Sequence, residues 1–167
     1  DGFLDDFYEH WPTDQEHTYV DFMRDRDEGP PDRTGSNTDY RLTEKWTSSA
    51  KSVFHFDIQG QVAKSTHAGL PWLRRMRNEV GDKLHVWPFD GWTIPEGRSV
   101  VAEAYPSLYR NRYGKGDRTA DQQDAYSTAR WLSEMDHRGF LTRYFEPPLT
   151  DDERRQCDLE GWILGVG

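Results

Sequence analysis

Glu103 is the residue in this sequence whose type and setting most strongly suggest chemistry. It interrupts the apolar run 100–105, VVAEAY, and a continuous apolar run is typical of a strand buried on both faces. A carboxylate in such a place costs on the order of several kcal/mol unless a cation or hydrogen-bond donors accompany it. Glu103 is therefore either a metal ligand, half of a salt bridge with an arginine, or a residue at an exposed strand end.

Two further carboxylates, Asp121 and Asp124, open the helix predicted over 119–136. They share helical spacing with Thr128, Trp131 and Met135, so this stripe is expected to face the sheet. A simpler reading is that acids in a first turn stabilise the helix dipole, by about 0.3–1 kcal/mol. That reading explains their place along the helix but not their shared face.

A strand carboxylate followed by carboxylates at a helix start suits a hard divalent cation. Mg²⁺ and Mn²⁺ prefer oxygen ligands and keep several waters. Two such ions about 4 Å apart can activate water and stabilise the leaving oxygen in phosphodiester cleavage. We therefore predict Glu103, Asp121 and Asp124 as metal ligands, with Glu103 and Asp124 as the catalytic pair.

Two basic or polar stretches are candidates for phosphate contacts. The sequence 60–66, GQVAKST, lacks the second glycine of a phosphate-binding P-loop. Its residues Lys64, Ser65 and Thr66 precede a predicted helix start, which attracts anions or is capped by a hydroxyl. Arg110 and Arg112 lie between Glu103 and Asp124 in sequence. They are predicted either to contact phosphate or to be part of a solvated loop.

The elements that must position these residues alternate along the chain. Strands are predicted at 52–58, 83–87 and 98–105, and helices at 68–80, 119–136 and from Thr150 to Gly161. Thr150 and Glu153 have the spacing of a capping box. Residues 32–51 show little periodicity and are predicted to be a loop. The alternation predicts an α/β fold.

Composition limits the class of protein. The chain has 167 residues, a net charge of -9 and one cysteine, Cys157. Residues 1–30 hold ten acids and two bases, so their charge is -8 and the rest of the chain carries -1. A lone thiol, the lack of a long apolar run and an acidic start predict a cytoplasmic protein rather than a membrane-spanning or disulfide-stapled one.

The motifs SVFHFDIQGQVAKSTHAGLPWL, HVWPFDGW, VVAEAYPSLY, DQQDA and LEGWILGV occur in that order. Their series over roughly 50–167 resembles the domain of unknown function 429 family, whose members are predicted ribonuclease-H-like nucleases. The resemblance implies a ribonuclease-H-like core in which carboxylates from two strands and a final helix bind metal. Glu103 matches the later-strand glutamate, and Asp121 and Asp124 match the helix acids.

The resemblance also implies an amino-terminal strand bearing an aspartate and a further aspartate-bearing strand that ends in a proline-glycine turn, and neither has a counterpart here. We therefore expect a single ribonuclease-H-like domain lacking those strands, and a chain that is inactive alone. Within it, 1–51 is predicted to be an acidic helical or loop insertion, 52–136 the core strands and helices, and 137–167 carboxyl-terminal helices.

Three functions remain open at this point. The first is a metal-dependent nuclease or phosphodiesterase acting on nucleic acid. The second is a catalytically incomplete binding or structural module that takes strands from a partner or pairs with a second copy. The third is a hydrolase or phosphotransferase acting on a small phosphorylated molecule, which suits an acidic protein better than long nucleic acid does.

Overall fold

The computed structural model describes residues 38–47, 49–53 and 63–167, a mixed α/β arrangement. Of these, 38–40, 51–53 and 63–81 group in one unit, and 41–47, 49–50 and 82–167 group in a second. The acidic segment 1–30 and nearly all of the predicted strand 52–58 lie outside the described residues; Ser52 and Val53 themselves are not in a strand. Within the described ranges, no helix is both long and apolar enough to cross a membrane.

A short helix, α1, runs from Leu42 to Thr47. The prediction of a loop over 32–51 was therefore wrong for these six residues. The helix start is capped by Glu44, whose carboxylate accepts a hydrogen bond of 2.9 Å from the backbone N–H of Arg41. Such a short, polar helix gives no periodic signal, and its position depends on contacts with distant parts of the chain.

The first unit contains helix α2, Ala63–Val80. The predicted helix is confirmed, but it begins five residues before its expected start at Ala68. Pro71 consequently lies inside the helix rather than in its first turn. In the interior of a helix, proline removes one backbone hydrogen bond. Gly81 follows with φ +59°, a conformation that ends helices and favours glycine.

The second unit contains two parallel strands, β1 (Leu84–Val86) and β2 (Ser99–Val101). Leu84 pairs with Ser99 and Val86 with Val101. Both predicted strands are confirmed, although β2 is much shorter than the expected 98–105. Beyond β2, Glu103 forms an isolated parallel bridge with Ile163, so the carboxyl-terminal segment continues the line of β1.

Helix α3, Ala120–His137, begins at the predicted cap, Thr119. The hydroxyl of Thr119 accepts from the backbone of Gln122, whose side chain accepts from the backbone of Thr119. The predicted buried stripe was wrong by one residue in the first half of the helix: the buried residues are Gln123, Ser127, Trp131 and Met135. Gln123 is buried because its amide donates to the carbonyls of Arg110 and Tyr113, at 3.1 and 2.8 Å. Hydrophobic spacing alone could not identify a buried glutamine.

The hydrophobic core is formed by side chains from α3, from the residues that follow β1 and from the carboxyl-terminal stretch, among them Trp131, Trp87 and Trp162. Helix α4 (Leu141–Tyr144) and helix α5 (Asp151–Glu160) lead into a carboxyl-terminal stretch in which Trp162, Ile163, Leu164 and Val166 are buried. The capping box of Thr150 and Glu153 is confirmed. Tyr109 stacks on Trp131 at 4.3 Å and donates its hydroxyl to the carbonyl of Leu164. A Cβ on Gly165 would overlap that hydroxyl, and the backbone there has φ +93°, so only glycine fits.

Candidate functional site

Glu103 lies two residues beyond β2, on the carboxyl-terminal side of the parallel pair. Its side chain is 43% exposed. The expectation of a strand buried on both faces was therefore wrong: Val100 and Val101 are half-buried, and Glu103 and Ala104 are exposed. The reason is that, among the described residues, only β1 pairs with β2, so this strand is not enclosed by a wide sheet.

The carboxylate of Glu103 is held by the guanidinium of Arg41. Nη1 donates to Oε2 and Nη2 donates to Oε1, each at 2.8 Å. This two-pronged arrangement fixes both carboxylate oxygens in the plane of the guanidinium. Of the readings that the sequence left open for Glu103, a salt bridge at an exposed position is the one present here.

Arg41 also binds two other acidic residues. Its Nε donates to the carboxylate of Glu44 at 2.8 Å, and Nη1 donates to the backbone carbonyl of Glu160 at 3.1 Å. The carboxylate of Glu160 in turn accepts from the backbone N–H of Leu42 at 2.7 Å. We call Arg41, Glu44, Glu103 and Glu160 the Arg41 cluster. It joins α1, the end of β2 and the last turn of α5.

Two charged side chains of the Arg41 cluster, Arg41 and Glu44, are largely shielded from solvent. The side chain of Arg41 is 16% exposed and that of Glu44 only 2%. Burial opposes the charge on Arg41, but the hydrogen bonds and charges of Glu103 and Glu44 outweigh it and raise the pKa of the guanidinium. Arg41 binds the carboxylates of Glu44 and Glu103 and only the backbone carbonyl of Glu160, so the four residues together carry an excess of negative charge.

Asp124 and Asp121 lie in the first turns of α3, as predicted. Asp124 is paired with Arg110 through two hydrogen bonds, and its side chain is 20% exposed. The hydrogen bond from Arg110 lowers the pKa of Asp124, against a smaller opposing effect of burial. Asp121 is exposed and acts on Arg110 only through its charge. Of the two aspartates, Asp124 therefore pairs with Arg110, whereas Asp121 makes no hydrogen bond to it.

The residues predicted to contact phosphate are placed differently from expectation. Arg110 is engaged by Asp124, and Arg112 is paired with Glu134 at 2.9 Å. Lys64, Ser65 and Thr66 lie within α2, not before it. Thr66 is exposed; the side chains of Lys64 and Ser65 lie outside the described residues. Arg110 and Arg112 thus serve first as partners of acidic side chains.

The fit to a divalent cation is incomplete. In the parts of the chain that the structure covers, no three histidine, cysteine, aspartate or glutamate side chains are arranged to hold a metal. Both predicted catalytic carboxylates, Glu103 and Asp124, already accept two hydrogen bonds from an arginine. As they stand, these donors do not fit a metal ion.

Arg41, Glu44 and Glu160 were not among the residues predicted from the sequence. Arg41 and Glu44 lie three residues apart inside the segment predicted to be a loop, and that spacing is a signal of a helix start with an ion pair. Nothing in the local sequence connects Arg41 to Glu103, which is 62 positions away.

Comparisons with models of protein families, with curated proteins and with solved structures find no match to this chain.

Proposed function

We propose that the chain is part of a metal-dependent phosphodiesterase of the ribonuclease-H-like class, with Glu103 at the centre of its site. The observation that carries the proposal is the position of Glu103: a partly exposed carboxylate just beyond the end of a parallel strand pair, bound by a cationic group. Ligands of open α/β sheets bind outside the carboxyl ends of the strands.

Arg41 is the group that supplies positive charge at Glu103 in this structure. The guanidinium of Arg41 donates a hydrogen bond to each oxygen of the Glu103 carboxylate. Two further acidic residues of the cluster, Glu44 and Glu160, also accept hydrogen bonds from Arg41. A metal at this place therefore requires that Glu103 turn away from Arg41, because both of its carboxylate oxygens already accept from that guanidinium.

The helix carboxylates support the same proposal more weakly. Asp124 and Asp121 follow Glu103 in chain order and open α3, which packs on the short turns Pro106–Leu108 and Arg110–Arg112. The strand-then-helix arrangement expected from the resemblance is thus compatible with the described residues. Asp124, like Glu103, would have to exchange an arginine for a metal.

The experiment is a cleavage assay on the full-length gene product. Labelled single-stranded and double-stranded oligonucleotides are incubated with Mn²⁺, with Mg²⁺ and with EDTA. We expect metal-dependent cleavage that Glu103→Gln abolishes and that Glu134→Gln leaves unchanged. Glu134 is a matched control because it is also a partly exposed carboxylate paired with arginines. Cleavage that survives Glu103→Gln would overturn the proposal.

A second candidate function is the non-catalytic module. A cavity of about 430 Å³ lies beside β2, with Val100, Ala102, Trp131 and Leu132 among its lining residues. An apolar recess next to a short strand suits the docking of further strands from a partner or a second copy. This candidate predicts a change of oligomeric state, or capture of a strand, without Mn²⁺-dependent cleavage of any oligonucleotide.

A further inference from the structure

We propose that an exposed apolar stripe on α2 is the docking surface for the acidic segment 1–30 of the same chain, which packs on it helix against helix. This docking is independent of the proposed function. Three observations support it: large apolar side chains face solvent along one side of α2, the helix carries a positive charge, and the segment is acidic, aromatic and part of the same unit.

The apolar stripe of α2 consists of Trp72, Met76 and Val80. Their side chains are 67%, 37% and 39% exposed. Because they are spaced four residues apart, they lie one above the other along two turns of the helix. Single apolar residues are common at a protein surface, but three large ones in one row form a continuous patch. Such a patch marks a surface that another element covers.

Basic residues border the stripe. By helical spacing, Arg75 lies on one side of it and Arg77 on the other. Arg75 is 62% exposed, and its guanidinium lies 5.7 Å from the centre of the Trp72 ring. Helix α2 holds four lysine or arginine residues and one glutamate, so its net charge is +3. A second copy of α2 would be repelled by that charge, whereas an acidic partner would be attracted.

The acidic segment 1–30 has the charge and the apolar spacing that this surface requires. It lies outside the described residues, and its sequence holds ten acids and two bases, a net charge of -8. It is therefore attracted to a helix of charge +3. The spacing of Leu4, Phe7, Tyr8 and Trp11 is that of one apolar face of a helix. A helix with such a face is stabilised when that face packs on the apolar stripe of another helix.

The chain between the segment and the described residues is long enough for this docking. Residues 38–40, where the described chain begins, belong to the same unit as α2. The 26 residues between Trp11 and Thr38 span roughly 90 Å when fully extended. Helix α2, with 18 residues, is only about 27 Å long. The linker can therefore place the apolar face of the segment against any part of the stripe.

The test is photo-cross-linking in the full-length gene product, with p-benzoylphenylalanine in place of Met76 or, as a matched control, in place of Asn78. Asn78 is exposed on the same helix but lies roughly 200° around the helix axis from Met76. Mass spectrometry identifies the peptide joined to each position. We expect position 76 to join the segment roughly fivefold or more often than position 78 does. Raising the salt concentration from about 0.05 to 1 M should lower that yield, because salt screens the attraction between the charges.

A mixture of unlabelled and ¹⁵N-labelled chains distinguishes a product within one chain from a product between two copies. The double variant Phe7→Ser/Trp11→Ser should lower the yield at position 76 roughly fivefold or more, whereas His10→Ser, on the opposite face of the predicted helix, should keep it. A thermal melt that matches the parent protein excludes misfolding as the cause of a loss.

Four results would overturn the proposal. They are a product between two copies, equal yields at positions 76 and 78, a yield that the double variant leaves unchanged, and the absence of any product with the segment. The first would assign the stripe to a second copy of the chain, and the last would assign it to a separate partner.

Discussion

Replacing Arg41 with methionine tests whether the Arg41 cluster holds the second unit together. Methionine keeps much of the length and apolar stem of arginine but removes every hydrogen bond of the guanidinium. The two carboxylates bound by that group differ in environment: Glu44 is 2% exposed and Glu103 is 43% exposed. The cost of losing each partner must therefore be estimated separately.

The loss at Glu103 is small, because an exposed ion pair contributes about 1 kcal/mol or less. The loss at Glu44 is larger, since leaving a buried carboxylate without its partner costs about 3–5 kcal/mol. Glu44 keeps one hydrogen bond, from the backbone N–H of residue 41, so we take the lower end. We expect Arg41→Met to reduce the free energy of unfolding by about 3 kcal/mol, which lowers Tm by roughly 6–12 °C in a protein of this size.

Urea denaturation followed by circular dichroism measures this loss. Arg75→Met is the control, because the Arg75–Glu79 pair has the same 2.8 Å distance but side chains that are 62% and 61% exposed. It should cost less than about 0.5 kcal/mol. Adding Glu44→Gln to Arg41→Met should recover part of the stability, since it removes the unpaired charge. A loss as small as that of Arg75→Met, or no recovery in the double variant, would refute the reasoning.

Three further predictions concern other parts of the second unit. Pairing with Arg110 lowers the pKa of Asp124 below its usual 3.8. The stabilisation from this ion pair is therefore present at neutral pH and is lost as pH falls through the lowered pKa. Asp124→Asn should be less stable than the parent protein by up to about 1 kcal/mol at pH 7, and urea melts should show that difference shrinking below pH 4. Cys157 is 0% exposed, and its burial raises the pKa of the thiol to about 11. A thiol reagent at pH 8 should therefore react roughly a hundredfold or more slowly with the native chain than with the unfolded chain. Equal reaction rates would contradict this packing. Thr150→Ala should cost about 1 kcal/mol through loss of the cap of α5, whereas Thr150→Ser should cost little; equal melting curves for all three proteins would show that the cap is not stabilising.

Local signals explain which parts of the fold the sequence could predict. The caps at Thr119 and Thr150 are short-range patterns, and both helices begin there. The burial of β2 could not be read from its apolar run, because burial of a strand depends on how many strands flank it. The buried face of α3 was misplaced for a related reason, since Gln123 is buried by carbonyl groups of a neighbouring turn.

The candidate site, too, could be predicted only in part from the sequence. Glu103 could be selected because a carboxylate stands out in an apolar run. Its partner Arg41 lies 62 positions earlier in a segment without periodicity, so only the folded chain brings the two together. The metal ligands and the ribonuclease-H-like core stay predictions.

The most direct test of the proposal that Glu103 turns away from Arg41 and binds a metal is the binding of Mn²⁺ to the full-length gene product, followed by electron paramagnetic resonance of the free ion. We predict saturable binding that Glu103→Gln weakens at least tenfold, as expected for loss of a charged oxygen ligand, while Glu134→Gln binds like the parent protein. Equal Mn²⁺ binding by the parent, Glu103→Gln and Glu134→Gln proteins would contradict the account and leave Glu103 as the salt-bridge partner of Arg41.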